Sequence, residues 1–186
     1  MPTPLELTEL QRRIALYHDE VAYREIFFLF YKPLLHFTRS FTLTPEIAEE
    51  IVSDVFIKIW QNYRHLDEIR NLKVYLYVSA KNNALRYMHS RQGIVAARLD
   101  DVDVELQSDC QDPEQMMITA EMLMRIRKAI DDLPPRCKIV YKMIREDRLK
   151  YKEVAQILDI SVKTIDNQLA IALKKIAGAI EFNLTN

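Results

Sequence analysis

Only two glycines, Gly93 and Gly178, stand in 186 residues. A chain so poor in the residue that supplies tight turns and left-handed backbone cannot make many hairpins. Its wealth of Leu, Ile, Ala, Glu, Lys and Arg, with few alternating β-branched runs, favours helices throughout. The reading is an all-α fold. At 49 % hydrophobic residues there is material for one core or two small ones without disulfides or metal. The two cysteines, Cys110 and Cys137, form no CxxC and have no histidine at ligand spacing, so no zinc site, disulfide framework or other cofactor is expected. The start, MPTPLELTELQRR, lacks the basic head and apolar core of a signal peptide, and no apolar run approaches about 18 residues. A soluble cytoplasmic protein with no direct membrane insertion is expected.

The net charge of −1 hides an uneven distribution. Residues 1–91 carry 12 basic and 11 acidic side chains, residues 92–112 carry 1 and 6, and residues 113–186 carry 13 and 10. The acidic middle, QGIVAARLDDVDVELQSDCQD, has one Gly and no sustained helical period. It reads as a linker over 92–112 between helical domains at 1–91 and 113–186, a loop within one domain being the other reading.

Before the linker, residues 20 to 42 repeat Ile26, Phe27, Phe30, Leu34, Phe37 and Phe41, a buried stripe interrupted by Pro33. Thr44 then Pro45 predicts a capped second helix to about Tyr63, and a third runs from about Asn71 to Ser90. After the linker one helix starts near Pro113, LPPRCKIVYKMIRED gives another, and YKEVAQILDISVKTIDNQLAIALKK gives two more.

On the second helix Ile47, Ala48, Ile51, Val52, Val55, Phe56 and Ile59 share one apolar face. Ile57 falls outside it, beside Asp54 and Gln61 with Trp60 at the border, which marks a candidate protein-docking patch. On the third, Lys73, Tyr77 and Lys81 stand at i, i+4 and i+8 below Arg70. Cations interleaved with an aromatic suit phosphates and unpaired bases; a solvated helix face is the plainer reading. The polar loop NYRHLDEIRN could accept a base taken out of the stack.

In the late stretch, Val154, Ala155 and Leu158 stripe the first segment. Ser161 caps a second whose stripe is Val162, Ile165, Leu169, Ala172, Leu173, Ile176 and Ile180. Lys163, Thr164, Asp166, Asn167, Gln168 and Lys174 then point outward, the early ones where a recognition helix meets base edges. Asn and Gln can pair with adenine, Thr can meet a thymine methyl, and Lys can take guanine or phosphate. Asp166 repels phosphate, and an ordinary helical hairpin has the same spacing.

Taken together, residues 20 to 180 resemble bacterial RNA polymerase sigma factors of the extracytoplasmic function group. DVFIKIW at 54–60 looks like their region 2.2, YLYVSAKNNAL at 75–85 resembles regions 2.3 to 2.4, and LPPRCKIVY with YKEVAQILDISVKTIDNQL is similar to region 4. The resemblance implies a transcription initiation factor, not an enzyme, that binds core RNA polymerase and promoter DNA. Asp54, Ile57, Lys58, Trp60 and Gln61 would dock on core polymerase. Arg70, Lys73, Tyr77, Lys81, Asn82 and Arg86 would open and read the minus ten element, and Lys163, Thr164, Asp166, Asn167 and Gln168 the minus thirty-five element. An anti-sigma factor is a further implied partner. Elements about 17 base pairs apart lie roughly 58 Å apart. The 21 residues of 92–112 reach about 70 Å at roughly 3.3 Å each.

Three departures stand out. Arg148 replaces a frequent Gly, predicting a less sharp turn, Tyr75 replaces a more usual Trp, and Asp166 stands where many members have a basic residue. A stand-alone helix-turn-helix regulator that binds duplex DNA without core polymerase is the alternative, and a helical interaction module a third.

Overall fold

The computed structural model describes residues 3–92 and 120–181, all-α in architecture. The chain divides into two compact units, residues 1–97 and 98–186. Most of the acidic 92–112 segment and the helix start expected near Pro113 lie outside the described residues, as does Cys110.

The first unit holds α1 (Pro4–Tyr17), α2 (Glu20–Arg39), α3 (Pro45–Gln61), a 3-10 turn at Tyr63–His65 and α4 (Leu72–Gln92). Each start has its own chemistry. Thr3 and Glu6 form a reciprocal capping box on α1, the Asp19 carboxylate accepts from Val21 and Ala22 N–H groups on α2, and Thr44 with Pro45 opens α3. The Asn71 carboxamide oxygen accepts from Val74 N–H at 3.1 Å to start α4.

The helical pattern expected over residues 20 to 42 forms as α2, with Pro33 inside it. Proline inside a helix forfeits one hydrogen bond and costs about 3 kcal/mol. Phe30, Leu34 and Phe37, buried on both sides of it, hold the helix through. Phe27 is only half-buried, and Phe41 is buried but lies beyond the helix end. The core face of α3 is the expected one: Ala48, Ile51, Val52, Val55, Phe56 and Ile59 are buried, with Ile47 at the margin. Since α4 packs against both α2 and α3, its buried arc is wide: Leu72, Val74, Leu76, Tyr77, Ala80 and Ala84.

The second unit holds α5 (Ala120–Asp131), α6 (Pro135–Arg145), α7 (Tyr151–Leu158) and α8 (Val162–Glu181). Leu133, Cys137, Ala172 and Ile176 make one core cluster, packed by Ile126, Ala129, Ile130 and Tyr141. Lys138 is buried, yet its ammonium is satisfied by the Asp131 carboxylate at 3.0 Å and the Asp131 carbonyl at 3.2 Å. Val154, Ile157 and Leu158 seat α7, and Ile165 and Leu169 seat the start of α8.

Among the described residues, three non-glycine positions take left-handed backbone: His18 (φ 52°), Arg148 (φ 55°) and Asp159 (φ 58°). The turn before α7 is therefore not relaxed by Arg148; the arginine adopts the glycine-like conformation itself. Asp159 does the same between α7 and α8, its N–H donating to the Ala155 carbonyl.

Candidate functional site

Three surfaces carry the residues singled out in the sequence. The first is a groove of about 600 Å³ between α2 and α3, lined by Tyr23, Phe27, Phe28, Ile57, Trp60 and Gln61 together with Glu20 and Arg24. Phe28 is 71 % exposed and Ile57 51 %, an unusual amount of apolar surface for neighbouring helices to leave bare. The Tyr23 hydroxyl donates to the Phe56 carbonyl at 3.0 Å, pinning α2 to α3 beneath the groove. Burial pushes that phenol above its ordinary pKa. Trp60 stacks on His18 with ring centroids 4.0 Å apart and leans on Tyr23 at 4.7 Å, so one edge of the groove is stiff.

Of the residues assigned to protein docking, Ile57, Trp60 and Gln61 line this groove. Asp54 and Lys58 do not. They line a second cleft, of about 270 Å³, between α3 and α4, facing Asn83, Arg86 and Tyr87. Sequence spacing grouped Asp54 with Ile57 and Gln61, Trp60 standing at the border, and the family resemblance added Lys58, but the groove and the cleft take opposite flanks of α3. Phe28 was missed because it sits one position past Phe27 in an aromatic run, where the pattern gives no sign of which ring faces out.

The second surface is the α4 face. Tyr77, read as part of a basic and aromatic line, is 0 % exposed and its ring packs on Phe37 at 4.9 Å. It belongs to the core and offers no face to a base. The exposed aromatic is Tyr75, at 42 %. It shares a recess of about 190 Å³ with Lys58, Ser79, Asn82 and Arg86. On α4, Tyr75, Ser79, Asn82 and Arg86 follow i, i+4, i+7 and i+11, one helical face. Cations beside an open ring suit single-stranded nucleic acid. Lys73 and Lys81 are half-buried, while Arg70 is exposed at the end of the loop that precedes α4.

The third surface is the α7–α8 helix-turn-helix. Ser161 caps α8, its hydroxyl accepting from Thr164 N–H at 3.0 Å and meeting the Thr164 hydroxyl at 2.8 Å. Lys163, Asp166 and Asn167 are exposed. Gln168 is not directed outward: its Oε1 accepts from the Cys137 thiol of α6 at 2.8 Å. Pairing bidentately with adenine needs both amide atoms, and the oxygen is engaged. Burial raises the Cys137 pKa, which keeps the thiol protonated and able to donate. Val162 and Leu173, expected in the core stripe, are 41 % and 38 % exposed. Val162, in the first turn beside Lys163, leaves exposed an apolar side chain that sequence spacing had assigned to packing.

Residues 29–94 match the family model described as Sigma-70 region 2, and residues 123–176 match Sigma-70, region 4. The ECF RNA polymerase sigma-E factor of Escherichia coli (strain K12) is 25 % identical over 142 residues, 71 % of this chain and 73 % of that protein. The RNA polymerase sigma factor NccH of Alcaligenes xylosoxydans xylosoxydans is 22 % identical over 182 residues, 96 % of this chain and 97 % of NccH. Among solved structures, CnrH in complex with the cytosolic domain of CnrY matches with a TM-score of 0.56 at 18 % identity, covering 96 % of this chain and 99 % of that one. That last likeness concerns the fold.

Proposed function

This chain belongs to the sigma-70 family, in its extracytoplasmic function group, and from that premise we propose how it divides the work of a transcription initiation factor among its surfaces. The α2–α3 groove docks on core RNA polymerase, with Phe28, Ile57 and Trp60 as apolar anchors and Gln61 at the rim. The α4 face, with Arg70, Lys73, Tyr75, Lys81, Asn82 and Arg86, takes the opened strand of the minus ten element. Lys58 and Asp54 belong with this second surface, across the cleft from Arg86. The loop at 62–71 receives a base drawn out of the stack. On α8, Val162, Lys163, Asp166 and Asn167 meet the minus thirty-five duplex, with Thr164 and Ser161 ordering the first turn.

The observation that carries this reading is the exposed apolar groove in a chain that also has a helix-turn-helix. A stand-alone duplex binder has no use for Phe28 and Ile57 in the open. Polymerase also supplies affinity that a recognition helix bearing Asp166 lacks. CnrH was solved in complex with the cytosolic domain of CnrY; by analogy an anti-sigma partner is proposed here too.

The test replaces Phe28 and Ile57 together by Asp. Neither is in the core, so the fold should persist, and capture by immobilised core polymerase should fall at least tenfold, the weight of one hot-spot residue. Undiminished capture of the folded double variant refutes groove docking. Specific duplex binding by the chain alone, as tight as with core polymerase present, would make it a stand-alone regulator instead.

A further inference from the structure

Gln11 is a buried polar residue on α1, only 4 % exposed, in a helix whose other buried positions, Leu10, Ile14 and Ala15, are apolar. Its side-chain amide donates to the carbonyl of Leu66 at 2.8 Å and to the carbonyl of Ile69 at 2.9 Å, across 55 and 58 residues of sequence. Those two carbonyls are the ends of one turn, because Ile69 N–H also donates to the Leu66 carbonyl at 3.3 Å. One amide group therefore clasps both ends of the turn that forms the middle of the loop before α4. A primary amide suits the task, having two N–H donors on one nitrogen.

The clasp acts from the inside. Leu66 is buried, while Arg64, Asp67, Glu68 and Arg70 of the same loop are exposed. Two further contacts hold the loop's start: Tyr63 packs on His18 at a ring-centroid distance of 4.2 Å, and Leu66 N–H donates to the Tyr63 carbonyl at 3.0 Å. An apolar residue at position 11 would leave the Ile69 carbonyl without this donor in a part-buried site.

We propose that Gln11 is a positioning residue for promoter opening: it sets the shape of the loop at 62–71 before DNA arrives, so that the unstacked base meets a preformed seat. The proposal rests on the reading of that loop given above. A seat built in advance spares the ordering cost that a mobile loop would pay on binding. Gln11 itself does not touch nucleic acid; its influence passes through the Leu66 and Ile69 carbonyls.

The test uses Gln11→Met, which keeps the length without donors, and Gln11→Glu, which keeps polarity but sets a carboxylate against two carbonyls. Each full-length variant is assembled with core polymerase and offered fork-junction promoter templates with successive unpaired minus ten positions either intact or abasic. The wild-type complex should prefer the intact template at one position. Both variants should lose about tenfold of that preference, on the order of one or two hydrogen bonds, while core capture stays unchanged. A variant that is merely less folded would lower binding to both templates alike and leave the ratio intact; an unchanged ratio in either variant overturns the proposal. No preference in the wild type at any position would instead refute the loop as a base-receiving site.

Discussion

Replacing Tyr77 by Ala separates a core role from a stacking role. The ring is fully buried against Phe37. Truncating a buried aromatic side chain costs about 3–5 kcal/mol, against a total stability of about 5–15 kcal/mol for a typical domain. At about 4–8 °C per kcal/mol for a unit of this size, the thermal midpoint of the first unit should fall by at least about 10 °C. The assay is built in: Trp60 is the sole tryptophan of the chain and lies in the first unit, so its fluorescence follows that unit through unfolding. The companion variant is Tyr75→Ala. An exposed ring lost from a helix surface should change stability by no more than about 0.5 kcal/mol, but should weaken binding of a minus ten single strand to the polymerase complex by about 1–3 kcal/mol. The opposite pattern would refute the assignment: an unmoved midpoint for Tyr77→Ala with specific loss of single-strand binding, and a neutral Tyr75→Ala.

Other consequences are open to measurement. Arg148→Gly should stabilise the second unit by about 1 kcal/mol, since glycine takes the φ of 55° without the side-chain penalty; urea unfolding checks it, and a loss of stability would mean that the arginine side chain holds the turn. Because burial raises the Cys137 pKa, the stability it contributes is complete below the ordinary thiol range and is lost as pH rises through the folded value. Tyr141 is also raised and Lys142 lowered by burial, so the thiol is isolated by difference: Cys137→Ser, which donates but does not titrate there, should lose less stability between pH 7 and alkaline pH than the wild type, followed by circular dichroism. Lys163→Ala should weaken minus thirty-five binding similarly across sequences and flatten its salt dependence by about one unit of slope. Gln168→Ala should show its effect in unfolding and leave base preference at each position unchanged in a binding-site selection.

The α3 core face could be read from sequence because every buried residue on it is strongly apolar and one stripe suffices for its partners. On α4 the same method misassigned Tyr77. A tyrosine can serve a core or a surface, and on α4 the buried residues Leu72, Val74, Leu76, Tyr77, Ala80 and Ala84 spread over an arc wide enough to blur the period. The parting of Asp54 and Lys58 from Ile57 was equally invisible, since a helical wheel ends at one helix and the clefts are made by two others. Gln11 and Gln168 had no local signal at all. Their partners lie 55 and 31 residues away, and only the fold brings them within reach. At Pro33 the apolar repeat on both sides outweighed the local rule against proline, and α2 runs through it.

The corner at Asp159 bears on how the helix-turn-helix moves. A glycine there would relax the bend and let α7 and α8 flex about it. An aspartate at φ 58° is held in a sparsely populated conformation by the Ala155 carbonyl, which accepts from both Asp159 and Ile160 N–H groups. The bend is consequently a brace between two helices, and the pair should arrive at the major groove as one rigid body. Promoters whose groove width departs from its shape then have to deform to meet it, making DNA stiffness part of the selection.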